Sequence, residues 1–308
     1  MEYRLSEYLN LGVTMQSLLI PHTPQKVLHL KDALAKKKSK VSGNYIMTVK
    51  EDGWYAVADF HPELGWSSIH SSPGRAIPAW EAARRKLQSD FNPGKPTRFI
   101  WEAIIPDTPF HILNGRFNRK HEEVENVVLI LHDMFSLEKG IQGFWKPAKL
   151  RVDDCYSLTL PNNMRHATYV GTSDRQDVWE NFFEAYVAKG CEGIVLKQEN
   201  AVYAPGKRME TLLKLKCEIE ADLLCTGLTY SFGKKGEPSL NLDLRNAAGN
   251  IITVVVPKDN ERKAFEADNS LVLGKVVKIR AMKLLESGVY REPTYVCIRE
   301  DKLPNEID

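Results

Sequence analysis

Lys50-Glu51-Asp52-Gly53 stands at the end of the strand-like run Tyr45 to Val49. The glycine permits a tight turn there and leaves the lysine amine close to a carboxylate. A lysine attacks phosphorus only when its amine is neutral, so such a nucleophile needs nearby cations or desolvation and a metal-bound phosphate as electrophile. Leu212-Leu213-Lys214-Leu215-Lys216 offers the cations. The period of a strand puts Lys214 and Lys216 on one face, with the three leucines assigned to the other. Two lysines projecting together from a packed strand suit a phosphate cradle. Glu192-Gly193-Ile194-Val195-Leu196-Lys197 opens another strand on a carboxylate, and Arg299-Glu300-Asp301-Lys302 adds charge near the C-terminus. Taken singly, these pieces also fit a surface turn, an amphipathic strand and a charged tail.

The elements that must position these residues are mostly strands. β-branched and aromatic runs cover Tyr45 to Val49, Trp54 to Phe60, Phe99 to Ile105, Val127 to Met134, Gly193 to Lys197 and Thr211 to Lys216. Helical spacing begins near Lys31, recurs from Ile77 to Phe91 with Ile77, Trp80 and Leu87 on one side, and recurs again from Asp177 to Lys189, where Gly190 stops it. Antiparallel sheets with helices packed outside are expected, an α+β arrangement. The texture changes after Lys216. About five strand-like runs follow Asp222, including Leu240 to Leu244, Ile251 to Val256, Lys275 to Met282 and Thr294 to Ile298, and they fit a small OB-fold barrel. Two domains are expected, residues 1–217 and 218–308, joined by a hinge near Cys217.

The whole chain excludes several classes. Its 308 residues are 43% hydrophobic and 27% charged, which argues against disorder and against a membrane protein. The start, MEYRLSEYLN, lacks a basic segment followed by an apolar one, so a cytoplasmic protein is expected. The five scattered cysteines never form a CxxC pair, which disfavours disulfides and structural zinc. A net charge of +2 decides nothing about nucleic acid.

In order along the chain, the motifs resemble those of the covalent nucleotidyltransferase superfamily, specifically ATP-dependent DNA ligases of a minimal viral or phage-like two-domain form. KEDG is similar to the lysine motif KxDG, Glu102 in FIWEAI to the third motif, EGIVLK to the fourth, LLKLK to the fifth and REDK to the sixth. Tyr203-Ala204-Pro205-Gly206-Lys207-Arg208 also sits where such ligases carry a Tyr-and-Gly segment. The resemblance implies three displacements at phosphorus with Mg²⁺: Lys50 takes AMP from ATP, AMP passes to the 5′-phosphate of a nick in duplex DNA, and the 3′-hydroxyl expels it. It assigns Lys214 and Lys216 to the α-phosphate, Glu102 to the ribose and Glu192 with Asp52 to the metal. Arg299 and Lys302 go to the departing pyrophosphate, carried in by a closing second domain. Thr48 and Val49 lie at the base-binding position, His132 at that of the stacking aromatic, and Lys197 joins the nucleotide contacts. A core histidine paired with Asp133 is the other reading of His132.

Lys36 and Lys37, in a run with Lys38 and Lys40, read either as a solvated helix end or as DNA contacts. Where the family usually carries arginines, this chain has Tyr55 and Ser72, and Arg75 is the expected substitute on the DNA. A monomer is expected. An RNA ligase, an mRNA-capping guanylyltransferase and a non-catalytic OB-type DNA-binding protein share parts of the pattern.

Overall fold

A computed structural model describes residues 23–119, 121–138, 144–232, 236–257 and 259–308. The opening MEYRLSEYLN lies outside them. The chain divides between Lys216 and Cys217 into two compact units.

In Tyr45-Ile46-Met47-Thr48-Val49-Lys50 alternate side chains are apolar, as a strand with one face in a core requires, and they form β2 (Tyr45–Lys50). Its sheet has the order β1 (Lys26–His29), β11 (Arg208–Lys216), β10 (Gly193–Gln198), β2, β9 (Tyr169–Ser173). β1 runs parallel to β11, and the other neighbours are antiparallel. Tyr45, Met47, Ile194, Leu196 and Leu213 close one face against Trp179 of a helix, α5 (Gln176–Val187). Fully burying side chains of this size contributes about 1.5–3 kcal/mol each. Gly190, at φ 85°, follows the helix end.

Period two puts Thr48, Lys50, Val195, Lys197, Lys214 and Lys216 on the opposite face. Leu212 pairs with Lys197 and shares this face, so only Leu213 and Leu215 turn towards the core, not three leucines as expected. Residues 23–29 lace this sheet to the loop before β11. Gln25 N–H donates to the Tyr203 hydroxyl (2.9 Å), Gly206 N–H to the Thr23 carbonyl (3.1 Å) and Lys26 N–H to the Lys207 carbonyl (2.8 Å).

The second sheet of this unit has the order β4 (Gly65–Trp66), β3 (Trp54–His61), β6 (Thr97–Ile104), β7 (Val128–Ser136), β8 (Met164–His166), with β5 (His70–Ser71) beside β3. Phe99 and Trp101 pack with Trp80 and Leu87, and with Leu113 and Phe117 of α3 (Phe110–Phe117). The helix expected from Ile77 is a 3₁₀ turn, Pro78–Trp80, running into α2 (Glu81–Asp90). The one near Lys31 is a short α1 (Leu30–Leu34), with Lys36 to Lys38 beyond its end. α3 and α4 (Ala148–Tyr156) carry no clear sequence signal. α3 contains Asn114-Gly115, and α4 buries a charged residue, Arg151, on its inner side.

In the second unit the sheet order is β14 (Ile251–Val255), β13 (Pro238–Arg245), β12 (Ile219–Phe232), β15 (Val276–Ala281), β18 (Thr294–Ile298), antiparallel throughout. A hairpin of β16 (Lys283–Leu284) and β17 (Tyr290–Arg291) and a helix α6 (Asp259–Ala267) complete it. Leu223, Leu240, Leu242, Val277 and Ile279 are fully buried in its core. Among the described residues this sheet is an open path from β14 to β18, without the closure a barrel requires. The molecule is α+β and sheet-rich, and no described helix is long and apolar enough to cross a membrane.

Candidate active site

Register places the chemistry. Gly193 pairs with Lys50 on one side and Lys216 on the other; Val195 likewise stands between Thr48 and Lys214. Lys50 Nζ lies 2.6 Å from Glu192 Oε2, and that carboxylate is only 9% exposed. Two glycines make this proximity possible. A Cβ on Gly193 would lie 2.0 Å from the Leu215 carbonyl oxygen, and one on Gly53 would lie 2.6 Å from the Ala103 carbonyl. Gly53 instead donates its N–H to Glu102 Oε1 at 3.2 Å, so the turn after Lys50 packs on β6 and is no free surface turn.

Charge is dense here. Burial pushes Glu102 up to about 7, Lys50 opposes this, Glu192 adds to it, the Gly53 N–H opposes it and Glu51 adds again. Glu51 is also raised by burial, against the pull of Arg165, whose guanidinium lies 3.1 Å away. On the same face, burial and then Lys214 and Lys216 lower His29 to about 4, with Asp32 opposing. His29 therefore stays neutral beside the two lysines.

A pocket opens on the sheet face that carries Lys50, at Thr48, two residues before it. Ile46, Thr48 and Lys197 line it from the first sheet, Leu131 and His132 from β7, and Cys155 and Tyr156 from α4. Burial first, then Lys197, Lys50 and Arg165, lower His132 to about 3 against the opposing charge of Asp133, so its imidazole is neutral. The alternative partnership with Asp133 is not formed by the side chains. Asp133 instead accepts from Arg151 Nε (2.9 Å), Arg151 Nη2 (3.2 Å) and Lys197 Nζ (2.8 Å). Burial alone would raise Asp133, but Lys197 and Arg151 hold it below the usual carboxylate range. Val49 turns its side chain away from the pocket into the sheet, and its N–H donates to the Thr168 carbonyl at 2.9 Å.

Other expected residues stand elsewhere. In the second unit Asp222 Oδ2 accepts from Arg299 Nη1 and from Lys302 Nζ, both at 2.7 Å, and Asp301 takes the other edge of Arg299 at 2.8 and 2.6 Å. Lys36 is paired with Glu210 at 2.7 Å, Lys37 is exposed, and Arg75 lies on an exposed turn. Asp52 is half-buried beside Gly53. Tyr55 is packed with Phe135 and Tyr203 in a small core, while Ser72 is exposed. Sequence reasoning missed His29, Glu51, Arg151, Cys155, Tyr156 and Arg165. None belongs to a motif except Glu51, the variable position of KxDG, and they come together only through sheet pairing.

Comparison with known proteins bears on this arrangement. Residues 103–216 match the model of the ATP dependent DNA ligase domain, a segment that contains His132, Glu192, Lys197, Lys214 and Lys216. A DNA ligase of Haloarcula marismortui is 27% identical over 227 residues, covering 65% of this chain and 41% of the relative. Over residues 103–216 this chain is similar to the ATP-dependent DNA ligases. A second ligase, from Methanothrix thermoacetophila, is 33% identical over 133 residues, 41% of this chain and 23% of its own length. The chain thus spans less than half the length of these ligases. In fold it is similar to a structure described as Pmar-Lig_Pre, with a TM-score of 0.72 at 19% identity over 91% of this chain and 68% of that one. It is also similar to a structure from an analysis of Lig E DNA ligases, with a TM-score of 0.66 at 17% identity over 91% of this chain and all of that one.

Proposed function

We propose that this chain seals nicks in duplex DNA, with ATP as the donor of an AMP carried on Lys50. The observation that carries this reading is the register Lys50, Gly193, Lys216, which sets an amine, a carboxylate and two further lysines on one face beside a pocket with a neutral imidazole. Thr48 and His132 take the base, the latter by stacking, and Glu102 takes the ribose hydroxyls. Lys214 and Lys216 neutralise the α-phosphate as charge builds in the displacement. Lys50 leaves Glu192 to form the phosphoramidate and releases pyrophosphate, for which Arg299 and Lys302 are the assigned cations. AMP then moves to the 5′-phosphate of the nick, and the 3′-hydroxyl displaces it.

Glu192 and Asp52 would hold Mg²⁺. Their carboxylates are the hard oxygen donors that ion takes, and the mutual repulsion of Glu51, Glu102 and Glu192 fits a site that gains by receiving a cation. When bound, the ion would screen the phosphates and polarise the reacting phosphorus. The five-stranded second unit is read as an OB-fold that holds duplex DNA, and the protein as a monomer.

The test offers a labelled nicked duplex, with DNA or RNA strands, together with ATP, GTP or NAD and Mg²⁺. Sealing of the DNA nick with ATP, through a labelled lysine, is expected. Equal labelling by GTP would favour a capping enzyme, preferential sealing of RNA an RNA ligase, and no label a binding protein.

A further inference from the structure

We propose that Lys197 is a positioning residue that acts through His132, holding a bulged peptide so that the imidazole faces the nucleotide pocket, rather than contacting the nucleotide itself. The proposal rests on the function just proposed. In the pairing of β6 with β7, Ile100 faces Asp133 and Trp101 faces Leu131, so His132 is an extra residue on β7. A β-bulge takes one residue out of the ladder and re-aims its side chain. A bulge in a packed sheet also leaves its carbonyl in want of a donor.

Lys197 supplies that donor. Its Nζ lies 3.0 Å from the His132 carbonyl oxygen and 2.8 Å from Asp133 Oδ2, and so holds both sides of the peptide that follows the imidazole. Asp133 is itself fixed: Oδ1 accepts from Arg151 Nε and from the Met134 N–H at 3.0 Å, while Oδ2 accepts from Arg151 Nη2 and Lys197. Arg151, only 2% exposed, also donates to the Ala201 carbonyl at 3.3 Å and lies 5.3 Å above the Phe135 ring. The three charges come from β10, β7 and α4, the elements that surround the pocket. With two of its three protons committed, Lys197 is suited to fixing the wall. Its placement on that wall makes direct contact with the base the rival role, and the two roles differ in how they couple to His132.

The experiment measures the KM for ATP and the maximal rate of lysyl-adenylate formation in the full chain for Lys197→Met, Lys197→Arg, His132→Ala and the double variant His132→Ala/Lys197→Met. Lys197→Met should raise the KM about tenfold, within the range of one base–aromatic stack, with a much smaller loss of maximal rate. Arginine can make both hydrogen bonds and should restore most of the affinity. The double variant should be no worse than the weaker-binding single one, because residues acting through one contact are non-additive. Multiplied effects would show that Lys197 touches the nucleotide itself. A lowered melting temperature with an unchanged KM would reduce the network to a fold-stabilising role, and either result overturns the proposal. If wild-type protein formed no adduct, the proposed function would fall, and the His132 imidazole resonance would become the readout. Its displacement in Lys197→Met and return in Lys197→Arg supports the clamp, and an unmoved resonance overturns it.

Discussion

Gly193→Ala tests whether the site depends on strand spacing. An added Cβ would sit 2.0 Å from the Leu215 carbonyl oxygen and 3.0 Å from Lys216 Cα, both backbone atoms with no side-chain freedom to yield. Ordinary contact begins near 3.4 Å, so β10 and β11 must separate locally by roughly 1.4 Å, at the residues flanking Leu215, which are Lys214 and Lys216. Overpacking of this kind costs about 1–3 kcal/mol of stability. A misplacement near 1 Å in a positioned catalytic group costs about 10²-fold in rate. Single-turnover labelling with α-labelled ATP should therefore slow about a hundredfold in protein that is still folded by thermal melting. Gly171→Ala is the control in the same sheet, because its Cβ would meet the flexible end of Met47 at 3.3 Å and the Phe182 ring at an ordinary contact distance of 3.6 Å. It should label nearly as wild type does. Gly193→Ala labelling within threefold of wild type would refute the argument that close strand approach sets the lysines.

Three further outcomes are expected. Lys50→Ala should form no covalent AMP adduct while keeping its fold, and an adduct mapped to another lysine would remove Lys50 as nucleophile. His132, lowered to about 3 by burial and neighbouring cations, binds fewer protons folded than unfolded between about 3 and 6.5, so its contribution to stability rises with pH across that window and is lost on acidification. His132→Phe should flatten this part of the acid profile in thermal melts and preserve stacking on ATP, and an unchanged profile would contradict the assignment. Arg299→Ala should slow adenylylation from ATP about 10²-fold yet spare sealing of a nick already adenylylated at its 5′ end. Equal slowing of both reactions would make the charged ending structural.

The strands that carry Lys50, Lys214 and Lys216 were legible because each alternates between a core face and the face that carries the lysines, and the period alone placed those lysines correctly. Assigning all three leucines of LLKLK to one face went against that same period, which puts Leu212 with the lysines. α4 was hidden because one of its inward residues is Arg151, a charge that reads as solvent-facing until Asp133 is seen opposite it. Asp133 and Lys197 are 64 residues apart and meet only through the packing of two sheets. The bulge at His132 has no signature in LHDMF. The second unit showed its strands in sequence, whereas closure of a sheet depends on twist and stagger that no linear pattern displays.

The lacing of residues 23–29 onto the loop before β11 bears on how this protein can be shortened. β1 is the strand that covers the outer edge of β11. A fragment begun at residue 40, just ahead of KEDG, would keep every recognisable motif and still strip that edge, leaving a row of unpaired amides and carbonyls along Arg208–Lys216. Bare edges of this kind recruit other chains. Such a fragment should aggregate during purification, whereas one that keeps Thr23 onward should stay dispersed.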